Sequence, residues 1–556
     1  MPDVPFISCM GESGLLVELG TTLSEQTNTR VHALRRTLAE LDLAGIVDLV
    51  PAYSSLLVRF DPLRLDEHEL RAIISRLADK PDVAAGGTTR HVIVPVKYGG
   101  EYGPDLEELA RLHGLTAEEA VRLHTTTLFQ VYFLGFMPGF AYMGKVPGKL
   151  ATGRLSTPRT AVPAGSVGIA GEQTGVYPFV SPGGWRIIGR TALKVWDSTS
   201  ESPALFSAGD HVRFAATDEE PAPPPRQGGD GRRLAPTFRV ISAGALSTIQ
   251  DLGRPGHGSL GICQGGAFDR ESTRLANTLV GNQEGAALLE LTWSGPELLA
   301  LRPTTIALTG ADLGCQIDGR PVPLGVSWFV RAGSSIRFTP GQRGGLRAYL
   351  AVAGGFRAQE VLGSASTYLP AALGGLNGRA LKTGDELETM PTLHPPAFFA
   401  GRVHSLPLRS AGGAGAVTEL KFTRFTGTGG VTNAVCDAFT HTTWRVTEQS
   451  DRMGSRLRAA VAGLPKSTAG ELLSFGVVRG AIQIPPSGEP LLLNVDHQTT
   501  GGYPLLGVVA EADWGLVAQL RPGDEVRFTQ VSVEQARRDL SASMQRLDRS
   551  VGRLSG

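Results

Sequence analysis

The chain has little sulfur, and its four cysteines (Cys9, Cys263, Cys315, Cys436) stand far apart. No C-x-x-C pair or Cys/His cluster occurs, so neither a zinc site nor a disulfide framework is expected. Thiols without a pairing pattern suit a reducing compartment, and a cytoplasmic location is expected. Net charge is also missing, because 53 basic residues balance 53 acidic ones. A dedicated nucleic-acid binder carries a basic excess or stripe, so that class is set aside. No run reaches 18 apolar residues, which removes any transmembrane candidate. The opening MPDVPFISCMGESG has no basic stretch followed by an apolar one, so no signal peptide is expected.

Glycine, in contrast, is abundant, at 71 of 556 residues. Together with many strand-like segments it favours a mainly β body rich in turns. The length allows roughly three to five domains. One linker is clear, Thr217–Pro236 (TDEEPAPPPRQGGDGRRLAP). It is Pro/Gly-rich and charged without apolar periodicity, hence extended, exposed and open to proteolysis near Arg226, Arg232 or Arg233. It separates parts of about 216 and 320 residues. Each is long enough to own a complete core. Weaker breaks fall near Lys80–Arg90 and Met390–Gly415.

Residues 1–85 read as α+β. Gly14–Leu19 and Leu56–Phe60 are strand-like, and the apolar spacing of Glu25–Leu41 and Asp66–Leu77 gives amphipathic helices. This order fits a small ferredoxin-like sandwich. Asp105–His113 and Ala117–Thr125 are helical, the second started by a Thr116/Glu119 capping box. A short echo then recurs: AGDHVRF (208–214), RAGSSIRF (331–338), TGDEL (383–387) and RPGDEVRF (521–528). Each is a turn glycine followed by an alternating strand. They mark closing strands of three barrel-like units, at 90–216, 237–395 and 396–530. Residues 531–556 form a charged, exposed helical tail.

The richest chemistry lies in Phe133–Thr191, whose 59 residues hold 12 Gly, 6 Pro and six basic side chains against one acid, Glu172. Glycine lets backbone approach a ligand and proline stiffens the loop, which together favour an anion site. Gly139–Val146 (GFAYMGKV) nearly matches a phosphate loop. Val146 supplies no hydroxyl for Mg²⁺, however, and Phe140, Tyr142 and Met143 are too bulky. His124 reads as either a general base or a packed residue. Arg159, in STPRTAVPAG with Pro163, reads as either an anion clamp or a loop brace. Gln173 and Thr174 could read a substrate amide or close a turn. In the second part, TIQDLGRPGHGSLG contributes Asp251 and Arg254, SDRMG contributes Asp451 and Arg452, and PPSG contributes Ser487. DHQTTGGY contributes Gln498, Thr499, Thr500, Gly501 and Tyr503, a concentration of amide, hydroxyl and backbone donors suited to an oxyanion. Asp496, His497 and Ser487 do not make a hydrolase triad, because no G-x-S-x-G elbow is present.

GFMPGFAYMG, TPRTAVPAGSVGIAGEQTGVYP and SPGGWRIIGRT resemble the B subunit of 5-oxoprolinase, also named allophanate hydrolase subunit 1 or the sporulation kinase-A inhibitor family. TIQDLGRPGHGSLG, GAFDRESTRLANTLVGN, ALTGADL, YLAVAGGF, SDRMG, PPSG and DHQTTGGYP resemble the C subunit of 5-oxoprolinase (allophanate hydrolase subunit 2). The resemblance covers about residues 5–215 and 237–530, so the two subunit types look fused. It also extends to the carboxyltransferase region of urea carboxylase. Ala141 and Met143 replace the family's usual proline and leucine. The implied fold is mainly β with an α+β N-terminal domain and cyclophilin-like β-barrels, one in the first half and two in the second. The implied function is ATP-dependent opening of 5-oxo-L-proline to L-glutamate, with a separate A-type 5-oxoprolinase partner and an inactive isolated chain. ATP with Mg²⁺ is the implied cofactor, held in the complex. The alternatives are carboxyl transfer from carboxybiotin to an amide such as urea, and a kinase-inhibiting binding protein. No Ser–Ser–Lys amidase signature, biotin-carrier Met-Lys motif or ATP-grasp region is visible. His124, Arg159, Asp251 and Gln498 are the catalytic candidates. Gly139, Pro163, Gln173, Thr174, Arg254, Asp451, Arg452, Ser487, Thr499, Thr500, Gly501 and Tyr503 are the substrate-binding ones. No metal ligands are expected, and a homo-oligomer is possible.

Overall fold

The computed structural model describes residues 5–79, 90–221, 234–339, 345–404, 416–460, 463–464 and 472–555. The break at 80–89, most of the linker with Arg226, Arg232 and Arg233, and the end of the break at 405–415 lie outside these residues.

Strands Phe6–Cys9, Gly14–Glu18, Ile46–Pro51 and Ser55–Phe60 form one antiparallel sheet, with the last of them between the second and third. Helices Glu25–Glu40 and Glu67–Asp79 cover one face, and the first starts where Ser24 Oγ accepts the Thr27 N–H. The expected strand–helix–strand–strand–helix order is present, with Phe6–Cys9 added at the edge. Alternation divides the side chains between the two faces. Leu15, Val17, Leu56, Val58 and Phe60 meet the helices. Leu16 and Leu57, out of step with them, meet Phe425, Phe475 and Val508 of the C-terminal barrel. A sheet apolar on both faces needs two covers, and the second comes from the far end of the chain.

Two closed seven-stranded barrels follow one plan. The first runs from His91–Tyr98 to His211–Ala216, the second from Thr418–Arg424 to Glu525–Val531. Numbered within each barrel, both have strand order 1-6-4-5-3-2-7, closed by a parallel pairing of first and last strands. Each also carries a two-stranded flap inserted at equivalent places: Arg159–Val162 with Ser181–Gly183, and Phe475–Gly476 with Thr500–Gly501. The AGDHVRF and RPGDEVRF echoes are the two closing strands. Helix Ala117–Thr126 begins with the expected capping box.

The middle unit differs from the expected closed barrel. Its strands pair into a six-stranded and a five-stranded sheet enclosing one core of residues such as Ile249, Leu291, Leu308 and Leu350. Its echo strand Glu386–Leu387 is only two residues long and pairs antiparallel with Phe238–Ser242, so no parallel seam closes the unit.

The parts on either side of the linker share cores, which revises the expectation that each owns a complete one. Ile262, Cys263 and Tyr368 belong to the cluster that fills the first barrel. Leu134 bridges Leu260, and Gly139 N donates to Leu260 O at 2.9 Å. Asp48 accepts the Gly258 N–H at 3.0 Å. At Gly261, with φ of 78°, a Cβ would lie 2.5 Å from Met137 O, so only glycine permits this approach.

The charged segment after residue 531 is not a free tail. Helix Val533–Ser555 packs on helix Arg270–Leu279 with Ala536 and Leu547 buried. Its Arg537 donates to Glu12 O at 3.0 Å and pairs with Glu67 at 2.6 Å. Its i, i+3, i+4 apolar stripe is sparse, which hid its buried face.

Cutting the chain within residues 217–236 is therefore expected to leave one particle. A nicked sample should elute at unchanged size on gel filtration at micromolar concentration. Two folded halves eluting separately would contradict the shared cores.

Candidate functional site

The barrels' equivalent loops converge. In the first barrel, Phe136 and Met137 follow the second strand, and Val180–Pro182 follow the fifth. In the last barrel, Ser450–Met453 follow the second strand and Asp496 follows the fifth. With Trp293, Arg347 and Tyr368 of the middle unit they enclose a cleft of about 720 Å³. Its two walls differ chemically. The first barrel offers mainly apolar groups with the Ser181 hydroxyl, whereas the last barrel offers Asp451, Arg452 and Asp496. Val180 and Trp293 are 63% and 50% exposed, a large apolar area left open to solvent.

A buried ion cluster fixes the charged wall. Arg452 Nε donates to Asp496 Oδ2 at 2.8 Å, Nη2 donates to Gly266 O at 2.7 Å, and Nη1 pairs with Glu290. Glu290 also accepts the Phe268 N–H at 2.7 Å. The side chains of Arg452, Glu290 and Asp496 are only 6%, 1% and 1% exposed. Burial opposes the charge on Arg452, but Asp496 and Glu290 together outweigh it and raise its pKa. Burial raises that of Asp496, against Arg452. Arg347 lies beside this cluster, its guanidinium 3.8 Å above the Phe268 ring.

From Asp496 the chain runs to a row of unused donors. The hydroxyls of Thr499 and Thr500, and both amide atoms of Gln483, are buried without a partner among the described residues. Thr500 faces the first barrel's loop so closely that a Cβ on Gly135 would lie 2.4 Å from its Oγ1. Buried polar atoms without partners are costly, so this row is suited to receive a ligand's acceptors and donors.

Several sequence candidates have other duties. His124 is fully buried in the first barrel, stacked on Phe214. Its Nδ1 lies 2.7 Å from Tyr98 Oη and its Nε2 3.0 Å from Thr174 Oγ1. Thr174 gives its own proton to Gly168 O, so Nε2 carries the hydrogen and Nδ1 accepts from Tyr98. Burial drives the His124 pKa down to about 3, and the ring stays neutral as a packing residue. Arg159 forms a bidentate pair with Asp105 at 2.9 and 2.7 Å, and Asp105 also accepts Ile187 N–H. It is the loop brace, not the anion clamp. Gln173 pairs in the barrel wall, Gly139 binds Leu260, and Pro163 is exposed. Asp251 is filled by Gly253 N, Ser364 Oγ, Ala365 N and Ser366 Oγ. Arg254 is 1% exposed and holds the Val361 and Ser366 carbonyls, with no partner for Nη1 among the described residues. Asp451 lines the cleft while accepting Met453 N at 2.7 Å. Arg452 is saturated by the ion cluster. Ser487 is exposed and accepts Glu489 N. Gln498 and Tyr503 are half-buried, and Gly501 pairs with Phe475. Sequence reading missed Glu290, Arg347 and Tyr368. The signal for the first was an acid in the middle of an apolar strand, LLELT. Among the described residues no three His, Cys, Asp or Glu side chains converge as a metal site, and no helix is long and apolar enough to cross a membrane.

The carboxyltransferase domain, subdomains C and D, matches residues 5–206, and subdomains A and B match 260–530. The chain belongs to this carboxyltransferase-domain family, together with the B and C subunits of 5-oxoprolinase. It is 38% identical to the 5-oxoprolinase B subunit of Bacillus subtilis, over 38% of this chain and 93% of that protein. It is 36% identical to the 5-oxoprolinase C subunit of Escherichia coli, over 54% of this chain and 93% of that protein. A crystal structure of TTHA0988 superposes with a TM-score of 0.82 at 36% identity, covering 93% of this chain and 99% of that one. Urea amidolyase of Saccharomyces cerevisiae is 31% identical over 54% of this chain but only 17% of its own length.

Two outcomes follow from the buried charges. Arg452→Met strands Glu290 and Asp496 in the interior and is expected to cost about 3–5 kcal/mol in chemical denaturation. A loss below about 1 kcal/mol would contradict the cluster's role. His124 has its folded pKa at about 3 against an ordinary 6.5. The unfolded chain thus binds the extra proton between these values, and the stability His124 contributes above pH 6.5 is lost as pH falls. The stability gap between wild type and His124→Gln should close by about 1.4 kcal/mol per pH unit from pH 6 to 4. A gap independent of pH would show the ring to be charged or exposed.

Proposed function

We propose that this chain is the joined B and C component of an ATP-dependent 5-oxoprolinase, which opens 5-oxo-L-proline to L-glutamate with a separate A-type 5-oxoprolinase protein. The observation that carries this reading is the match to both subunit types in one chain, each over 93% of the relative's length. The cleft between the two parts is consistent with it, because both contribute walls.

The lactam is an unreactive amide, and ATP with Mg²⁺ would supply a phosphoryl group to its oxygen, which activates the carbonyl carbon towards water so that the ring nitrogen leaves with a proton and phosphate is released as the new carboxylate forms. The described residues of Gly139–Val146 do not fit a phosphate loop. Ala141–Gly144 is a barrel strand, and Phe140 and Met143 are buried. The nucleotide is therefore assigned to the assembled complex rather than to this segment. The cleft's own residues orient the substrate. Asp451 and the Ser181 hydroxyl line the cleft from opposite barrels and meet the ring amide and carboxylate, while the enclosed Thr499 and Thr500 hydroxyls lie behind the cleft in the segment that follows Asp496. Met137, Val180 and Trp293 give the cleft an apolar surface for the methylene groups of the ring.

Carboxyl transfer is the second reading, favoured by the match to the carboxyltransferase domain and by the urea amidolyase likeness. It would take carboxybiotin from another protein into the same cleft.

The pure chain is expected to release neither ADP nor glutamate from ATP and 5-oxoproline, whereas adding a cognate A-type protein should yield both in equal amounts. Cleavage of 5-oxoproline by the chain alone would overturn the split assignment. Carboxylated urea formed from carboxybiotin, with no glutamate from the mixture, would favour the second reading.

A further inference from the structure

Three arginines from distant parts of the chain lie where the N-terminal sheet, the middle unit and the last barrel meet: Arg479 covers the Trp514 ring, Trp514 stacks on Phe268 two residues before Arg270, and Arg59 reaches Gln264 of the middle unit. Arg59 is the penultimate residue of strand Ser55–Phe60, Arg270 opens helix Arg270–Leu279, and Arg479 stands in the turn before strand Ala481–Gln483. None of them lines the cleft. Their charges act on one another. Burial, then Arg59, lowers the pKa of Arg270 to about 10, while burial, Arg270 and Arg59 together lower that of Arg479 further.

Their hydrogen-bond donors are largely unused. Among the described residues Arg270 makes no hydrogen bond or ion pair, and its Nε is enclosed without an acceptor. The Arg479 side chain is 10% exposed and lies 4.4 Å above the Trp514 ring. Its Nη2 meets Glu511, but its Nη1 is enclosed without a partner among the described residues. Arg59 donates Nη2 to Gln264 Oε1 at 3.3 Å. The nearby carboxyls are engaged elsewhere. Asp251 is filled by serine and backbone donors, and Asp269 caps its helix through Ser272 N and Oγ. Glu12 accepts the Glu511 N–H, and burial pushes its pKa up to about 7. His497 is held neutral, its pKa lowered to about 4 by burial.

We propose that this junction binds a small tetrahedral oxyanion of the phosphate class, held by Arg270 and Arg479 with Arg59 at its edge. Guanidinium forks match phosphate oxygens. A planar carboxylate is served by one fork, whereas three guanidinium groups contributed by three elements suit an ion with acceptors on all sides. Free phosphate and the terminal phosphoryl group of a nucleotide share this chemistry. The inference does not depend on which reaction the cleft performs.

The test is calorimetric titration of the full chain with inorganic phosphate, and separately with ADP, at constant ionic strength. Saturable binding at one site is expected, weakened at least ten-fold in Arg270→Gln and unchanged in Arg445→Gln. Tighter ADP binding that phosphate displaces would assign the site to a nucleotide's phosphoryl group, and phosphate binding alone would assign it to the free ion. Should Arg270→Gln fail to fold, wild-type crystals soaked in tungstate decide the matter, with an anomalous peak expected within hydrogen-bond distance of Arg270 and Arg479 Nη1. Absence of saturable binding of either probe, binding unchanged in a folded Arg270→Gln, or a tungstate peak elsewhere overturns the proposal.

Discussion

The buried link from Arg452 to Glu290 and Asp496 holds the centre of this molecule. Arg452 and Asp496 belong to loops of the last barrel, and Glu290 belongs to a strand of the middle unit. An ion cluster with such low exposure survives only if every member is paired, because desolvation of each charge is expensive. Here each carboxylate has the guanidinium, and the guanidinium's remaining donor has a backbone carbonyl. The cluster therefore sets the distance between the two units, and with it the position of the charged wall of the cleft. The first barrel is placed against this wall by apolar and backbone contacts around Leu134, Gly139 and Gly261.

The packing across the linker explains why the two family segments act as one body. The N-terminal sheet has two apolar faces and can cover only one with its own helices. Leu16 and Leu57 would face water if the last barrel were absent, at roughly 1.5–3 kcal/mol for each large apolar side chain. The C-terminal helix ties the same region through Arg537. Chain order and spatial order thus diverge. The first and last segments are neighbours, and the linker does not have to hold the halves in register.

Much of the architecture was legible in local pattern. The capping box at Thr116 and Glu119, the amphipathic helices of the first 80 residues and the closing strands after glycine turns all depend on residues near one another in sequence. Long-range facts were not legible. Nothing in STPRTAVPAG announces that Arg159 will meet Asp105, 54 residues earlier. The RAGSSIRF and TGDEL echoes are strands, yet the unit they belong to is two sheets, because closure depends on pairing register rather than on the presence of a strand. At the site, the Gln-Thr-Thr-Gly-Gly run was readable as a cluster of donors, and the buried hydroxyls of Thr499 and Thr500 agree with it. Asp251 and Arg452 were readable as polar but not as saturated, since their partners come from other units.

The two closed barrels share one strand order yet present opposite chemistry to the cleft. In a dimer built from two copies of one chain, symmetry would impose every substitution on both walls at once. Joining two non-identical copies of the same plan removes that constraint. A change at Val180 leaves its counterpart loop at Asp496 untouched, so the hydrophobic and ionic sides can be tuned independently while the frame that aims them stays the same.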